Sequence, residues 1–235
     1  SPFLAVFADR VVAQRGTTRA ARYARTTVTG PIDTTERGRR LPRSARRKQL
    51  LGAAQEVFVA QGYHAAAMDE IAERAGVSKP VLYQHFPSKL ELYLALLDLH
   101  ADALERQVRN ALESSTDNHD RVFRCVEVYF DFVDEPGGAF RLVFESDLRN
   151  EPTVRERVDR ALQRSVEAIA DTIARDTGLN REDAEVLSCG LAGAAEISAR
   201  WWLDSEGRIP KQRAIELIQT LTWRGIGGYP RVGSP

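Results

Sequence analysis

Hydrophobic side chains recur at helical spacing through most of the chain. From Ser88 onward apolar residues return every three or four positions, and neither an alternating strand pattern nor an internal repeat is found. Shorter stretches before Ser88 follow the same spacing. The chain is therefore predicted to be all-α, with an N-terminal three-helix domain that contains a helix-turn-helix and a larger helical domain after it.

The stretch from Met68 to Lys89 predicts two short helices joined by a tight turn. The apolar stripe of the first helix consists of Ile71, Ala72 and Ala75. Gly76 stands where a left-handed residue ends a helix, and Ser78 is a favourable N-cap for the next one. Pro80 falls in the first turn of that second helix, where its missing N–H costs nothing. This order of signals is typical of a helix-turn-helix.

The second helix of this pair has side chains suited to DNA near its exposed N-terminal end. Tyr83 can donate its hydroxyl to a phosphate, Lys89 adds a compact charge, and Gln84 has the donor and acceptor that can read an adenine edge. The alternative interpretation is a plain helical hairpin inside an all-α core. Because a core helix rarely carries all three groups, the sequence favours DNA binding.

From about Arg46 to Leu96 the chain resembles the DNA-binding domain of the TetR family of bacterial transcriptional regulators. The resemblance is carried, in the family's order and spacing, by Ala54, Val57, Phe58, Gly62-Tyr63, Ile71-Ala72, Ala75-Gly76-Val77-Ser78, Leu82-Tyr83, His85-Phe86 and Lys89. It implies that residues matching Ser78 to His85 contact DNA. It also implies that Tyr83, His85 and Lys89 lie on phosphates.

Two positions depart from the family pattern. Ala67 stands where the family usually has a threonine that caps the second helix and touches phosphate. Pro80 stands at a place often held by glycine or another small residue, and it offers bases only an apolar surface. Base selection is therefore expected to depend on Lys79 and Gln84.

Charge is distributed unevenly along the chain. The net charge is zero, but residues 1–48 hold 12 Lys and Arg against 3 Asp and Glu. Such a cluster just before the first helix of the TetR-like stretch suits an arm that binds phosphates or the minor groove. Its basic residues are Arg37, Arg39, Arg40, Arg43, Arg46, Arg47 and Lys48. A solvated, disordered lead-in is the alternative.

The residues predicted to contact DNA combine this arm with the helix-turn-helix. They are Arg43, Arg46, Arg47, Lys48, Met68, Ser78, Lys79, Pro80, Val81, Tyr83, Gln84, His85 and Lys89. The predicted division of the chain is a basic, flexible extension over residues 1–40, the DNA-binding domain over 41–90, and a ligand-binding and dimerisation domain over 91–235.

No segment is predicted to span a membrane, because the apolar runs are short and interrupted by charge. The N-terminal FLAVF run lacks the basic residues and the cleavage pattern of a secretory signal, so a cytoplasmic location is expected. Cys125 and Cys189 are expected to be reduced thiols in the core, since each stands alone in an amphipathic pattern.

In the larger domain, one helix is expected to join the DNA-binding domain to the rest, and two others are expected to form a dimer interface. Ser88 is predicted to cap a long helix that runs toward Leu112 and joins the DNA-binding domain to the rest. The last two helices, at about 181–203 and 210–226, combine small residues with an apolar side. They are expected to form a four-helix bundle with a second copy, and internal packing alone is the alternative. A homodimer would read a palindromic operator.

The family resemblance further implies a cavity for a small-molecule effector whose binding moves the long helix. Candidate lining residues are Tyr129, Phe140, Phe144, Glu145, Arg200, Trp201 and Trp202. No cofactor or metal is expected, because His64, His85, His100 and His119 lie far apart without Cys, Asp or Glu at metal-ligand spacing. The chain also lacks the phosphate-loop and nucleophile motifs that would indicate an enzyme.

Taken together, these patterns and the family resemblance imply a sequence-specific transcriptional regulator. The expected form is a homodimeric repressor that a small molecule releases from a palindromic operator. A non-inducible architectural or DNA-compacting protein is the alternative. A preference for one operator of about three or more orders of magnitude over random DNA would separate the two.

Overall fold

All regular elements in the described part of the chain are α-helices, as the sequence predicts. The computed structural model describes residues 41–144, 148 and 150–225. The predicted basic extension over residues 1–40, with Arg37, Arg39 and Arg40, lies outside the described residues. So does Glu145, one of the candidate effector residues.

Three helices near the start of the described chain form a unit that we call the three-helix unit: α1 (Arg43–Ala65), α2 (Met68–Arg74) and α3 (Lys79–His85). Its core consists of Leu50, Ala54, Phe58, Ile71, Leu82 and Phe86, each at most 3% exposed. Burying one such leucine or phenylalanine contributes about 1.5–3 kcal/mol. The spacing of these residues places one apolar side of every helix against the others.

The ends of α2 and α3 are set by backbone geometry more than by side-chain caps. Ala67 is the N-cap of α2 and accepts no side-chain bond, so the cap predicted to be missing is indeed missing. Gly76 has a φ of 64°, which only glycine adopts without strain, and it turns the chain into α3. Ser78 is the N-cap of α3 as predicted, but its hydroxyl makes no capping bond.

The long helix predicted after Ser88 is α4 (Lys89–Glu113). The Ser88 hydroxyl accepts a hydrogen bond of 3.1 Å from the Glu91 N–H and caps it. Leucines face the core at Leu92, Leu96, Leu104 and Leu112, whereas Leu99, which the sequence placed in the same apolar series, is 43% exposed. The boundary predicted at residues 90 and 91 falls in the first turn of α4, and the division into domains stays a prediction.

Five further helices complete the larger domain: α5 (Asn118–Asp134), α6 (Ala139–Phe144), α7 (Pro152–Thr177), α8 (Arg181–Asp204) and α9 (Lys211–Arg224). Asp117 and Asn180 cap α5 and α8 through their side chains. Gly178 ends α7 with a φ of 73°. The helix α7 packs along both α4 and α8, and α5 packs against α4 and α8. The core of the domain lies between these four helices.

Contacts of α1 with α4 and with the turn before α6 join the three-helix unit to the larger domain. The Gln55 amide donates to the Gly137 carbonyl (3.2 Å), and its oxygen lies 3.1 Å from His100 Nε2 on α4. Gly138 lies so close to Val59 that a Cβ atom there would stand 2.9 Å from Val59 Cγ1. We call the contacts among Gln55, Val59, His100, Gly137 and Gly138 the joint. Glycine at both turn positions allows this close approach.

The two cysteines of the larger domain differ in exposure. Cys125 is half-buried, and burial raises the pKa of its thiol to about 12, which leaves it protonated and unreactive. Cys189 was expected in the core but is exposed on α8. No helix among residues 41–144 and 150–225 is long and apolar enough to cross a membrane.

Candidate DNA interface and effector cavity

One side of α3 is presented to solvent with the residues that were predicted to read DNA. Ser78, Lys79, Pro80, Tyr83 and Gln84 are exposed, whereas Leu82 and Phe86 on the other side are buried. Val81 and His85 are half-buried between the two sides. Within the described part of the chain, we find no hydrogen-bond partner for the side chains of Tyr83 or Gln84. Both are therefore available to a ligand such as DNA.

The first turns of α1 bring positive charge to the C-terminal end of α3. Arg43, Arg47 and Lys48 are exposed, and the Arg47 guanidinium lies 4.4 Å from the centre of the Phe86 ring. The pKa of His85 is lowered, first by desolvation and then by the charges of Arg43, Arg47 and Arg46, so His85 is neutral at pH 7. Basic residues at a helix N-terminus oppose the helix dipole, so this cluster does not serve the stability of α1.

A hydrogen-bonded chain fixes the orientation of α1 against α2. Arg46 donates to the Gln49 side-chain oxygen (2.7 Å), and the Gln49 amide donates to the Ala75 carbonyl at the end of α2 (2.7 Å). Gln49 was not among the predicted site residues. A lone glutamine on a helix gives no sequence signal for a contact with a carbonyl 26 positions away.

Lys79 is paired within the protein, but weakly. Its ammonium lies 2.8 Å from an Asp69 carboxylate oxygen, and the two side chains are 54% and 69% exposed. The partner carboxylate raises the pKa of Lys79, so the ammonium stays charged. An exposed pair of this kind contributes about 0–1 kcal/mol, so Lys79 can exchange Asp69 for DNA at little cost.

Two predicted DNA contacts are placed differently by the structure. The Met68 side chain is only 8% exposed and packs in the core of the three-helix unit, because it is the first apolar residue of the buried side of α2. The Lys89 ammonium donates to the carbonyl oxygens of Tyr63 (2.8 Å), His64 (3.3 Å) and Ala66 (2.9 Å). The phosphate contact predicted for Lys89 stays a prediction, and this geometry disfavours it.

A small cavity of about 30 Å³ lies inside the larger domain, where five helices meet. Its lining is mainly apolar and consists of Leu112, Arg121, Val122, Cys125, Val126, Tyr129, Ile169, Leu191, Ala195 and Thr222. Such a volume holds about one or two water molecules. The centre of the domain is therefore nearly filled by apolar side chains.

Of the predicted effector residues whose side chains the structure describes, Tyr129 alone lines this cavity. Phe140 is buried in the core away from it, and Trp202 is buried with its indole N–H on the Ile209 carbonyl (2.9 Å). Trp201 is 55% exposed on the outside of α8. Phe144 ends α6. Phe140 and Trp202 are thus buried and Trp201 is exposed, a difference that their order in the sequence does not reveal.

An ion pair lies near Tyr129, one of the residues that line the cavity. Arg200 pairs with Glu196 at 3.7 Å, and both side chains are largely buried. Burial, followed by the Glu196 charge, raises the pKa of the Tyr129 hydroxyl, which therefore stays protonated. The partner expected for a buried Arg200 is thus present, although the Arg200 Nε–H has no acceptor among the described residues.

The expectation that every histidine lies apart from acidic groups is wrong for His119. Possible ligand atoms of Asp117, His119 and Asp120 all lie within 4.8 Å of one another at the start of α5. The Asp117 carboxylate already accepts the His119 backbone N–H (2.9 Å), and Asp120 accepts from Ser115. The positive end of the α5 dipole also opposes a cation there.

Comparisons with known proteins agree with this geometry. Residues 50–96 match the family described as bacterial regulatory proteins, tetR family, and residues 119–225 match the one described as tetracyclin repressor-like, C-terminal domain. The HTH-type transcriptional activator FasR of Mycolicibacterium smegmatis is 49% identical over 200 residues, which cover 85% of this chain and 91% of that protein. The chain belongs to the TetR family. It is therefore a DNA-binding transcriptional regulator and not an enzyme.

Solved structures of TetR-like regulators have the same fold. A TetR-like transcriptional regulator from Rhodococcus sp. RHA1 is 28% identical with a TM-score of 0.65, over 81% of this chain and all of that one. The regulator FadR from Bacillus subtilis, solved in complex with stearoyl-CoA, has a TM-score of 0.64 at 16% identity and covers 76% of this chain and 98% of its own. The second likeness concerns the fold alone.

Proposed function

We propose that this TetR-family protein is a homodimer that binds a palindromic operator, activates transcription there and responds to an apolar small-molecule effector. DNA binding itself follows from the family. The observation that carries activation is the 49% identity to FasR, which is named as an activator. Repression, which the sequence led us to expect, is the second candidate, because the larger domain matches a family described as tetracyclin repressor-like.

An unpartnered face on α8 supports the homodimer. Val186, Gly190, Gly193, Ile197 and Trp201 are spaced by three or four positions, and we call them the α8 face. The three large side chains are 72%, 52% and 55% exposed in the single chain. A Cβ atom added at either glycine would meet nothing within 4 Å. An apolar stripe with two glycines allows close approach of a second α8, which would cover it.

The lining of the cavity supports an effector with an apolar chain. Six aliphatic side chains surround it, and the polar groups are Arg121, Cys125, Tyr129 and Thr222. The FadR complex supports the idea that a protein of this helical fold can bind an acyl-CoA, since that protein was solved with stearoyl-CoA. We infer that a long-chain acyl thioester is the effector class. Because the cavity holds only about 30 Å³, binding of such a chain must separate the helices around it.

A set of binding and expression measurements tests this proposal. Genomic fragments selected by the purified protein should contain one palindrome, and a reporter behind it should lose transcription when the gene is deleted. Stearoyl-CoA should change operator affinity at least about fivefold, whereas coenzyme A alone should not. A reporter that rises on deletion would instead support repression. Binding without sequence preference would support the architectural alternative.

Two substitutions on α3 should distinguish a phosphate contact, which positions the protein on DNA, from a contact that reads a base. Tyr83→Phe is expected to weaken binding to all DNA sequences by about 0.5–1.5 kcal/mol, because it removes one hydroxyl donor. Gln84→Ala is expected to reduce discrimination at one base pair by about 1–3 kcal/mol. Binding to operators randomised at each position measures both effects. Gln107→Ala, at an exposed glutamine of α4, is the matched control, and an unchanged base preference in Gln84→Ala would contradict its role.

A further inference from the structure

The ammonium of Lys89 occupies a site built from backbone carbonyls. It donates to Tyr63, His64 and Ala66 at 2.8, 3.3 and 2.9 Å, and it lies 4.5 Å from the centre of the Tyr63 ring. We call these three carbonyl oxygens the Lys89 site. An ammonium has three N–H donors, so all of them are engaged here. A phosphate oxygen would have to displace one of these carbonyls to bind Lys89.

The Lys89 site connects two parts of the protein that differ in role. Lys89 is the first residue of α4, which runs into the larger domain. The three carbonyls belong to the end of α1 and to the link into α2. A φ of 77° at Gly62 interrupts α1 and turns these carbonyls toward the ammonium. Carbonyls at a helix C-terminus carry partial negative charge, which favours a cation there.

Aromatic rings keep the same two parts in contact. Tyr63 packs edge-on against Tyr93 of α4 with ring centres 5.3 Å apart, and Phe58 of α1 lies 5.2 Å from the same ring. Tyr93 is 2% exposed. The first turn of α4 is therefore held against the end of α1 by one charge and one buried ring. Rotation of the three-helix unit about α4 would break the Lys89 site first, because hydrogen bonds depend more steeply on angle than ring packing does.

We propose that Lys89 is a positioning residue that fixes the angle between α4 and the three-helix unit, and thereby the half-site spacing that the dimer accepts. The proposal rests on the proposed homodimer. In a dimer the two α3 helices must enter successive major grooves about 34 Å apart. A rigid connection between α4 and each three-helix unit makes one spacing much better than its neighbours. A loose connection allows several spacings at lower affinity.

Salt dependence distinguishes this role from a phosphate contact. Lys89→Met keeps the length of the side chain and removes the charge. It is expected to lower operator affinity about tenfold without changing the slope of log K against log salt concentration. Arg43→Met removes an exposed cation, and it should reduce that slope by about 0.9 per subunit if Arg43 binds phosphate. An equal reduction of the slope in Lys89→Met would overturn the proposal.

Operators with altered spacing test the positioning role directly. For the wild type, inserting or deleting one base pair between the half-sites should lower affinity at least about tenfold. In Lys89→Met that penalty should fall to about threefold or less, a change that simple loss of stability would not produce. A flat wild-type profile would contradict the homodimer proposal instead. A steep profile retained by Lys89→Met would contradict the role given to Lys89.

Lys89→Arg supplies a variant that keeps the charge. A guanidinium is planar and cannot direct three donors at the three carbonyls as an ammonium does. The variant should therefore lose spacing selectivity although its charge remains. If Lys89 were a phosphate contact, the arginine would retain both affinity and selectivity, and the proposal would fail. Thermal unfolding of each variant shows whether it is folded, and Lys89→Arg carries the test if Lys89→Met is not.

Discussion

Gly193→Arg is expected to leave the single chain folded and to abolish both dimer formation and specific operator binding. A Cβ atom added at Gly193 would meet nothing within 4 Å in the single chain, so a side chain can begin there without a clash. Replacing a glycine inside α8 also favours the helix by about 0.8–1 kcal/mol. Against a second copy, the same arginine would hold two α8 helices apart and bury a charge without a partner. Stability of the chain and assembly should thus change in opposite directions.

Light scattering at micromolar concentration and operator titration measure this result. The wild type should have twice the mass of Gly193→Arg, and the variant should bind the operator about a thousandfold more weakly, near its affinity for random DNA. Leu99→Arg is the matched control, because Leu99 is 43% exposed on α4 and lies outside the α8 face. A Gly193→Arg protein that remained dimeric would show that the α8 face is not the interface.

Gly138→Ala is expected to destabilise the protein by about 2–4 kcal/mol. Two costs combine at this position, since its φ of 63° disfavours any side chain and a Cβ atom would stand 2.9 Å from Val59 Cγ1. Val59 belongs to α1, so the strain falls on the joint. Urea unfolding followed by circular dichroism measures the free energy of unfolding.

Gly207 provides the control for this substitution. Its φ is 80°, and a Cβ atom there would meet nothing within 4 Å. Gly207→Ala should therefore lower the free energy of unfolding by only about 1–2 kcal/mol, the strain of an alanine at positive φ. Adding Val59→Ala to Gly138→Ala should remove the clash with Val59. The double variant should therefore lose less free energy of unfolding than the sum of the two single variants. If Gly138→Ala and Gly207→Ala lowered the free energy of unfolding equally, the joint would accommodate the added methyl group without strain.

Much of the fold could be predicted from the sequence because its signals are local. Gly76, Ser88, Asn180 and Gly178 mark helix ends by backbone conformation or by a side chain that reaches three residues ahead. The exposed side of α3 followed from helical spacing alone. The absence of a side-chain cap at Ala67 could also be predicted, since a methyl group accepts no hydrogen bond.

Other features could not be predicted because they depend on residues far apart in the chain. Lys89 has the same identity whether it faces phosphate or backbone carbonyls 23 to 26 positions away. Trp201 and Trp202 are neighbours, yet one is exposed and the other buried, and only the packing of α8 decides which. The cavity is lined from five helices, so no single stretch of sequence marks it.

The joint also bears on how the protein unfolds. The three-helix unit with its final core residue spans only the 44 residues from Arg43 to Phe86, a size at which a core alone gives marginal stability. Gln55 and Val59 tie it to the turn after α5, and His100 ties it to α4. Melting of the larger domain therefore removes the support of the smaller one. We therefore expect the chain to lose its DNA-binding surface in a single cooperative transition, and a ligand that raises the melting temperature of the larger domain should protect that surface as well.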